Sequence, residues 1–385
     1  MLQLKKILIE GGPLFQQKSG VGQYLYRLLE GLFEIDKKND YIVYGFLFVG
    51  KRLKPPFPEK FRNVRYRMVR YLPSKMYSVF ARKVFVPPAD LLTGLKVDLA
   101  LYGHFVRSPL MFGGKSITVI YDLSYIHFQQ FSNMKTTRFY TKEVPRTIKR
   151  SDHIVTISEN AKNEIVDYYK IDPAMITIIS PAVNADLYKP RSKSEIFKIK
   201  KQFNIRGKYI LFTGTLEPRK NIVTILNSYE KLPKKITDEF SLVLAGGKGW
   251  LDGSIKERLC ELKDMNIITT GYVADEDLPA LYSGASLFVY PSHYEGFGMP
   301  PLEAMACGVP VITSNNSSLP EVVGGAGILI DADDVKALTI QTTRVLEDSK
   351  MSAQMRSAGL QRAKLFSWEK SAMKLHHLIE KVTNS

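Results

Sequence analysis

Short, continuous apolar runs alternate with helical patterns along most of the 385-residue chain, and this alternation restricts the fold more than any other feature. Such runs are typical of strands that are covered on both faces, as in parallel sheets. Their alternation with helices predicts βαβ units and an α/β fold. The predicted strands are Lys6–Ile9, Ile117–Tyr121 and His153–Ile157 in a first series, and Tyr209–Phe212, Leu242–Ala245, Ile267–Thr269, Leu287–Tyr290 and Val309–Ile312 in a second.

The two series predict two doubly wound domains that face each other across a cleft. Between Pro181 and Gly207, prolines and a charged stretch interrupt the alternation. We therefore expect a first domain over residues 1–183 and a second over 184–366. A last amphipathic stretch, residues 367–385, predicts a terminal helix that could pack on either domain.

Cysteine usage and hydropathy indicate where such a chain works. Cys260 and Cys307 are too few for a disulfide framework and lack metal-ligand spacing, which favours a reducing cytosol. The longest strongly apolar stretch, residues 41–49, is far shorter than the ~20 residues that span a bilayer. We expect a cytoplasmic protein, peripheral at most on the cytoplasmic face of the membrane.

Positive charge is concentrated in the first half. The net charge is +16, and residues 1–180 hold 28 Lys and Arg against 15 Asp and Glu. Residues 51–83 alone carry eleven cations and one acid, with aromatic residues between them. This pattern predicts contact with an anionic membrane surface that presents a lipid-diphosphate acceptor; a solvated loop is the alternative.

The charge by itself also fits a nucleic-acid-binding protein, but no recognition motif accompanies it, so we expect no nucleic-acid partner.

The first candidate site follows the predicted strand that ends at Phe212. Gly214 and Thr215 open a tight loop, and Arg219 and Lys220 offer adjacent cations for phosphate oxygens. Loops at the carboxyl ends of parallel strands are where α/β sheets bind ligands. The alternative is a helix start with solvated basic residues.

The second candidate site runs from Glu295 to Glu303 and also follows a predicted strand. Gly296 and Gly298 can present backbone N–H groups to an anion or a hydroxyl at a helix start. A carboxylate at Glu303 can accept two hydrogen bonds from a vicinal diol such as that of ribose. The alternative is a glycine turn followed by an incidental carboxylate.

The run from Ser292 to Asp334, with its E-x7-E spacing, resembles family 4 (group 1) of the retaining GT-B glycosyltransferases. The loop at residues 214–221, the Gly271–Val273 segment and Leu319–Glu321 match the same family in the same order. Residues 20–24 and 121–161 resemble it more loosely. The resemblance implies the GT-B fold, two facing Rossmann-like domains, and a mannosyltransferase-like enzyme.

The family assigns roles to matching positions. Glu303 would hold the ribose, Lys220 the diphosphate, and Glu295 the donor sugar, so that Glu295, Lys220 and Arg219 would form the catalytic set. The Val273 backbone would lie beside the base. The donor-binding set implied by the family and the loop motifs is Gly20, Gly22, Gly214, Thr215, Arg219, Lys220, Val273, Glu295, Gly296, Phe297, Gly298, Leu302 and Glu303.

Two departures from the family pattern concern the phosphate and acceptor sides. Many members place an arginine near Thr215; here Arg219, or a helix N-terminus such as the loop Gly20–Gly22, would have to serve. Many also carry His-Asp where this chain has Tyr121-Asp122. His104 and Asp122 are the acceptor-side candidates that remain.

The expected reaction is retaining transfer of a hexose from a nucleotide sugar to a glycan or lipid-linked acceptor in cell-surface polysaccharide synthesis. GDP-mannose is the preferred donor, with UDP- and dTDP-sugars as alternatives. No cofactor or metal is required in this scheme, and we expect the acid-x-acid pair Asp331 and Asp333 to cap the next helix. A GT-B epimerase or phosphorylase and a basic nucleic-acid-binding protein are the competing functions.

Overall fold

The chain forms two compact units. The computed structural model describes residues 4–15, 20–47, 55–70, 88–129, 134–247, 249 and 253–384. The first unit comprises Met1–Pro181 and Trp368–Ser385, and the second comprises Ala182–Ser367. The terminal segment, which the sequence left unassigned, therefore belongs to the first unit.

The strands of the first unit form one parallel sheet. They are β1 Lys6–Glu10, β2 Asp40–Leu47, β3 Val64–Arg70, β4 Leu99–Tyr102, β5 Lys115–Val119, β6 His153–Thr156 and β7 Ile176–Ile178. Their order across the sheet is β3-β2-β1-β4-β5-β6-β7, and every neighbouring pair is parallel. The predicted runs of the first series became β1, β5 and β6, whereas β2, β3, β4 and β7 were not among the predicted strands.

The second unit repeats this plan with six parallel strands. They are β8 Lys208–Thr213, β9 Phe240–Ala245, β10 Ile267–Gly271, β11 Leu287–Tyr290, β12 Val311–Ser314 and β13 Ile328–Ile330. Their order is β10-β9-β8-β11-β12-β13. Two doubly wound parallel sheets confirm the predicted fold class.

Helices connect the strands and cover the sheets. Their bounds are α1 Gly20–Ile35, α2 Ala89–Thr93, α3 Ser124–His127, α4 Met134–Arg150, α5 Glu159–Tyr169, α6 Lys193–Gln202, α7 Ile222–Glu230, α8 Lys234–Glu239, α9 Gly253–Glu261, α10 Leu278–Ser283, α11 Met299–Ala306, α12 Leu319–Val323, α13 Val335–Glu347, α14 Ser349–Ala363 and α15 Trp368–Asn384.

The terminal helix α15 joins the first unit by packing against α1. Leu375 and Ile379 are completely buried, as are Leu29 and Leu32 of α1. Gly31 lets the two helices approach closely, because a Cβ at this position would lie 2.9 Å from the Cβ of Ala372. The helix therefore belongs to the core of the first unit although it follows the second unit in sequence.

Each sheet has one point where the winding direction reverses. In the first sheet the reversal lies between β1 and β4, and in the second it lies between β8 and β11. Connections leave such neighbouring strands in opposite directions, which opens a crevice at their carboxyl ends where ligands bind in doubly wound sheets. The loops after β1, β4, β8 and β11 are consequently the first places to look for a site.

The basic segment at residues 51–83 is only partly described. Residues 51–54 and 71–83 lie outside the described residues, so the membrane contact predicted for them is not addressed by the structure. The described part includes β3, an edge strand on which Arg65 and Arg67 are exposed. Among the residues that the structure describes, no helix combines the length and apolar character needed to cross a bilayer.

Candidate active site

The loop after β8 presents the two predicted cations at the crevice of the second sheet. A short 3-10 turn, Pro218–Lys220, follows the strand, and Asn221 then adopts a left-handed conformation before α7 begins. Gly246 comes so close to this loop that a Cβ would lie 1.9 Å from the Gly214 oxygen. The backbone therefore fixes where Arg219 and Lys220 emerge.

Lys220 and Glu295 form a buried ion pair. Lys220 Nζ lies 2.6 Å from Glu295 Oε1 and donates to Tyr290 Oη at 2.5 Å. The same carboxylate oxygen accepts from Ser292 Oγ at 2.7 Å and from Tyr290 Oη at 2.9 Å. The loops after β8 and β11 are thereby joined through one carboxylate.

Burial and charge act in opposite directions on this pair. Burial alone would raise the pKa of Glu295, but Lys220, Arg219 and the hydrogen bonds outweigh it and lower the pKa to about 2. Burial lowers the pKa of Lys220, and the charge of Glu295 opposes this decrease. Both partners gain from each other the stabilisation that water would otherwise supply.

Arg219 supports the loop after β11. Its Nη1 donates to the Tyr294 carbonyl oxygen at 2.6 Å and lies 3.3 Å from Glu295 Oε1. Its Nη2 donates to Glu217 at 2.6 Å. The guanidinium thus adds positive charge beside Glu295 while it holds the Tyr294 backbone in place.

Two serines fix the glycine-containing segment Glu295–Gly298. Ser318 Oγ donates to the carbonyl oxygens of Glu295 and Phe297, at 2.8 and 2.6 Å. Ser317 Oγ accepts from the Glu295 amide at 3.0 Å. Gly298 then caps α11 with a φ of 111°, a conformation that favours glycine. Neither serine was identified as a site residue from the sequence.

Glu303 lies on α11 and is held by tyrosine hydroxyls. Tyr282 Oη donates to Glu303 Oε2 at 2.9 Å and is itself 2.6 Å from Thr213 Oγ1. Tyr188 makes a second side-chain hydrogen bond to the carboxylate. Burial raises the pKa of Glu303 to about 7, although both tyrosines act in the opposite direction. The carboxyl thus changes charge near neutral pH.

The other predicted donor-binding residues differ in the exposure of their side chains and in the unit to which they belong. Thr215 is exposed in the loop after β8, whereas Val273 is buried after β10. The Leu302 side chain is completely buried, so only its backbone could reach a ligand. Gly20 and Gly22 lie in the first unit, within α1 rather than in the predicted loop, because the helix already begins at Gly20.

The acceptor-side candidates follow neighbouring strands of the first sheet. His104 Nε2 lies 3.0 Å from Tyr140 Oη, and burial lowers the pKa of this imidazole. Asp122 Oδ1 accepts from the Ser124 amide at 2.9 Å, which closes the turn before α3. Tyr121 is buried and donates to the Gly103 carbonyl oxygen at 2.8 Å.

Glu10 is a titratable group at the crevice of the first sheet that sequence reasoning missed. It ends β1 and pairs in register with Tyr102 of β4. Burial raises its pKa to about 7, and a hydrogen bond with the Gly12 backbone opposes the increase. Burial also raises the pKa of Tyr140 to about 12, with a further contribution from the Glu10 charge. An acid at the end of a strand before Gly11-Gly12 was the available signal.

The acid-x-acid pair after β13 forms a turn instead of capping α13. Asp331 Oδ1 accepts from the Asp333 amide at 2.9 Å, and the cap is Asp334, which accepts from the Ala337 amide. The predicted cap was therefore wrong by one residue, because the turn delays the start of the helix. Within the described ranges, His, Cys, Asp and Glu side chains form no group of three or more that could hold a metal ion.

Each of the two units matches a protein-family model. Residues 193–362 match the model of glycosyl transferases group 1, and residues 18–187 match that of glycosyltransferase family 4. The chain belongs to the family 4 glycosyltransferases. The family predicted from the E-x7-E segment is confirmed, and this glycosyltransferase carries its E-x7-E carboxylates at the crevice of the second sheet.

Named relatives of this glycosyltransferase include mannosyltransferases. O-antigen chain mannosyltransferase B of Escherichia coli is 38% identical over 258 residues, 66% of this chain and 67% of the relative. Serotype-specific mannosyltransferase WbdA of Escherichia coli is 32% identical over 241 residues, 61% of this chain but 29% of the relative. O-antigen chain mannosyltransferase RfbU of Salmonella typhimurium is 32% identical over 192 residues, 50% of each chain. The match thus spans only part of these relatives.

Solved structures share the fold over nearly the whole chain. Sucrose-phosphate synthase from Thermosynechococcus elongatus has a TM-score of 0.74 at 20% identity and covers 98% of this chain and 99% of its own. WaaG, a glycosyltransferase involved in lipopolysaccharide biosynthesis, has a TM-score of 0.70 at 13% identity and covers 97% and 99%. At these identities the likeness supports the fold alone, which is GT-B.

Replacing Glu303 by glutamine tests the raised pKa. A folded-state pKa near 7, above the ordinary value of 4.5, contributes stability below about pH 4.5 that is lost as the pH rises through about 7. Between about pH 4 and pH 8 the stability difference should therefore shift in favour of Glu303→Gln by up to about 3 kcal/mol. Urea unfolding over this pH range measures it.

The exposed carboxylate Glu276 provides the control for this experiment. Glu276→Gln should change stability little and by a similar amount across the range. A stability difference for Glu303→Gln that does not vary with pH would contradict the raised pKa of Glu303.

Proposed function

We propose that the chain transfers mannose from GDP-mannose to a lipid-linked glycan in cell-surface polysaccharide synthesis, with retention of the anomeric configuration. The observation that carries the proposal is that one unit holds both a buried ammonium group, Lys220, with Arg219 beside it, and a separate carboxylate, Glu303, that already accepts a hydrogen bond from a hydroxyl group. These two features suit the diphosphate and the ribose of a nucleotide sugar. The named mannosyltransferase relatives support the choice of sugar.

Lys220 has the donor capacity to hold the diphosphate. An ammonium group has three N–H donors. In the described part of the chain, Lys220 Nζ donates one hydrogen bond to Tyr290 Oη and one to Glu295 Oε1. A third N–H can donate to a phosphate oxygen without breaking the buried pair, and Arg219 adds positive charge alongside.

Glu303 suits the ribose hydroxyls. In its ionised form the carboxylate can accept hydrogen bonds from both hydroxyls of a vicinal diol. Tyr188 and Tyr282 already orient the group, so little side-chain entropy is lost on binding. Because the diol binds the ionised form, nucleotide affinity increases as the pH rises through about 7.

The chemical step follows from where charge develops. Cleavage of the anomeric C–O bond places negative charge on the diphosphate and positive charge on the sugar ring. Lys220 and Arg219 stabilise the leaving group, and the Lys220–Glu295 pair keeps that ammonium positioned before the reaction starts. In the proposed mechanism the acceptor hydroxyl attacks from the same face, and the departing phosphate takes its proton, with no metal required.

The acceptor would enter at the crevice of the first sheet. Glu10 ends β1, and His104 follows β4, the two strands between which the winding reverses. An ionised Glu10 accepts a hydrogen bond from an acceptor hydroxyl, while neutral His104 beside Tyr140 can donate or accept. We place the lipid carrier of this acceptor at the cytoplasmic face of the membrane.

A panel of nucleotide sugars tests the proposed donor. A ligand that binds only the folded protein raises its melting temperature. GDP-mannose should give a larger shift than GDP-glucose, UDP-glucose and dTDP-glucose at equal concentration, and NMR of the transfer product should show the α configuration of the donor. A larger shift with a UDP- or dTDP-sugar would contradict the donor, and a β product would contradict retention. Hydrolysis or epimerisation of the donor without an acceptor would replace the proposal by the epimerase or phosphorylase alternative.

Replacing Glu10 by glutamine tests the acceptor side. Loss of a hydrogen bond to a charged group should lower the transfer rate by about ten- to a hundredfold. Calorimetry with GDP-mannose should show unchanged donor affinity. At saturating donor, the wild-type rate should rise through about pH 7 and the variant should lack that step.

Asp167→Asn, at an exposed carboxylate of the same unit, is the control and should retain wild-type transfer and its pH profile. Wild-type transfer by Glu10→Gln would exclude Glu10 from the acceptor site.

A further inference from the structure

Helix α4 presents two chemically opposite faces. It precedes β6, and its residues Thr137, Val144, Thr147 and Ile148 are buried within the first unit. Tyr140 lies beside this buried face and contacts His104. One side of the helix thus belongs to the core and reaches the proposed acceptor crevice.

The opposite side of α4 is cationic. The helix carries six Lys and Arg residues and a single acid, Glu143, which pairs with Arg146 at 2.9 Å. At 3.6 residues per turn, five of the cations fall within an arc of about 80°, centred opposite the buried residues. We name this surface the α4 stripe; its members are Lys135, Arg138, Lys142, Arg146 and Lys149, and all five are exposed.

The spacing within the α4 stripe is unfavourable for an isolated soluble helix. Arg138, Lys142 and Arg146 follow one another at intervals of four residues, where like charges repel. Solvated helix faces commonly alternate charges of both signs, which relieves this repulsion. A row of cations about 21 Å long, at 1.5 Å per residue, therefore matches an extended anionic surface.

We propose that the α4 stripe contacts the headgroups of an anionic lipid bilayer. The charge of the stripe complements such a surface, and Met134, at the start of the helix, is 66% exposed and available to the interface. The choice of a lipid rests on the proposed lipid-linked acceptor. Because the other face of α4 meets His104, the helix would hold the bilayer next to the crevice that the acceptor enters.

The stripe is separate in sequence from the basic segment at residues 51–83. It lies wholly within described residues, and its cations project from one helix of 17 residues that includes Pro145. Membrane contact through the stripe therefore does not depend on any residue of that segment.

Neutralising three members of the stripe tests this inference. Each cation close to an anionic leaflet contributes about fivefold to binding, so Arg138→Gln/Lys142→Gln/Lys149→Gln should weaken binding to phosphatidylglycerol-containing vesicles roughly a hundredfold. Co-sedimentation with vesicles measures it, and pure phosphatidylcholine vesicles should bind neither protein. Wild-type binding should decrease as salt is added.

A matched control separates the stripe from net charge. Lys336→Gln/Lys350→Gln/Lys364→Gln removes three exposed cations from the second unit and should leave vesicle binding within about threefold of wild type. Equal loss in both triple variants, or no loss in the α4 variant, would overturn the proposal. Tighter binding of the wild type to duplex DNA or RNA than to vesicles, lost in the α4 variant, would overturn it in favour of a nucleic acid.

The same variants distinguish this inference from the proposed function. The α4 variant should transfer mannose to a short water-soluble acceptor at the wild-type rate, because the substitutions lie on the exposed face. If neither the wild type nor either triple variant transferred mannose, while the vesicle results were as expected, the proposed function would be refuted. The proposed membrane contact of the α4 stripe would still be supported.

Discussion

The buried pair of Lys220 and Glu295 organises the candidate active site. It joins the loop after β8 to the loop after β11 across the point where the sheet reverses its winding. A buried ion pair of this kind is maintained only when further hydrogen bonds satisfy its atoms, and Tyr290 and Ser292 provide them. The pair therefore positions an ammonium group for a diphosphate before any donor arrives, at the expense of desolvating both charges.

Much of the fold follows from the sequence pattern because parallel strands are buried on both faces. Runs such as Leu242–Ala245 and Leu287–Tyr290 contain no polar alternation that would suggest another structure, and both became strands. Where burial is incomplete the pattern is weaker, as in the arginine-rich edge strand β3. The return of α15 to the first unit was not predictable, since its apolar face would pack on either domain and Gly31 supplies the close fit.

The candidate site was only partly predictable, for a related reason. Glu295, Glu303 and Lys220 were identified because they lie in or beside glycine-containing loops after predicted strands, and these loops also resemble a family pattern. Their partners come from distant positions, such as Tyr188 before α6 and Ser317 after β12, and nothing local to those residues indicates a site. Glu10 was missed because its one sequence signal, an acid at a strand end before two glycines, does not show the burial that raises its pKa.

The arrangement assigns the two acids of the E-x7-E segment different physical tasks. Glu295 remains ionised because cations surround it, whereas Glu303 titrates near neutral pH because burial dominates. A crystal structure of the protein with bound GDP tests this division of roles most directly. The account predicts both ribose hydroxyls within hydrogen-bond distance of the Glu303 carboxylate and a phosphate oxygen within that distance of Lys220 Nζ. A nucleotide bound with its ribose away from Glu303, or with its phosphates away from Lys220, would contradict it.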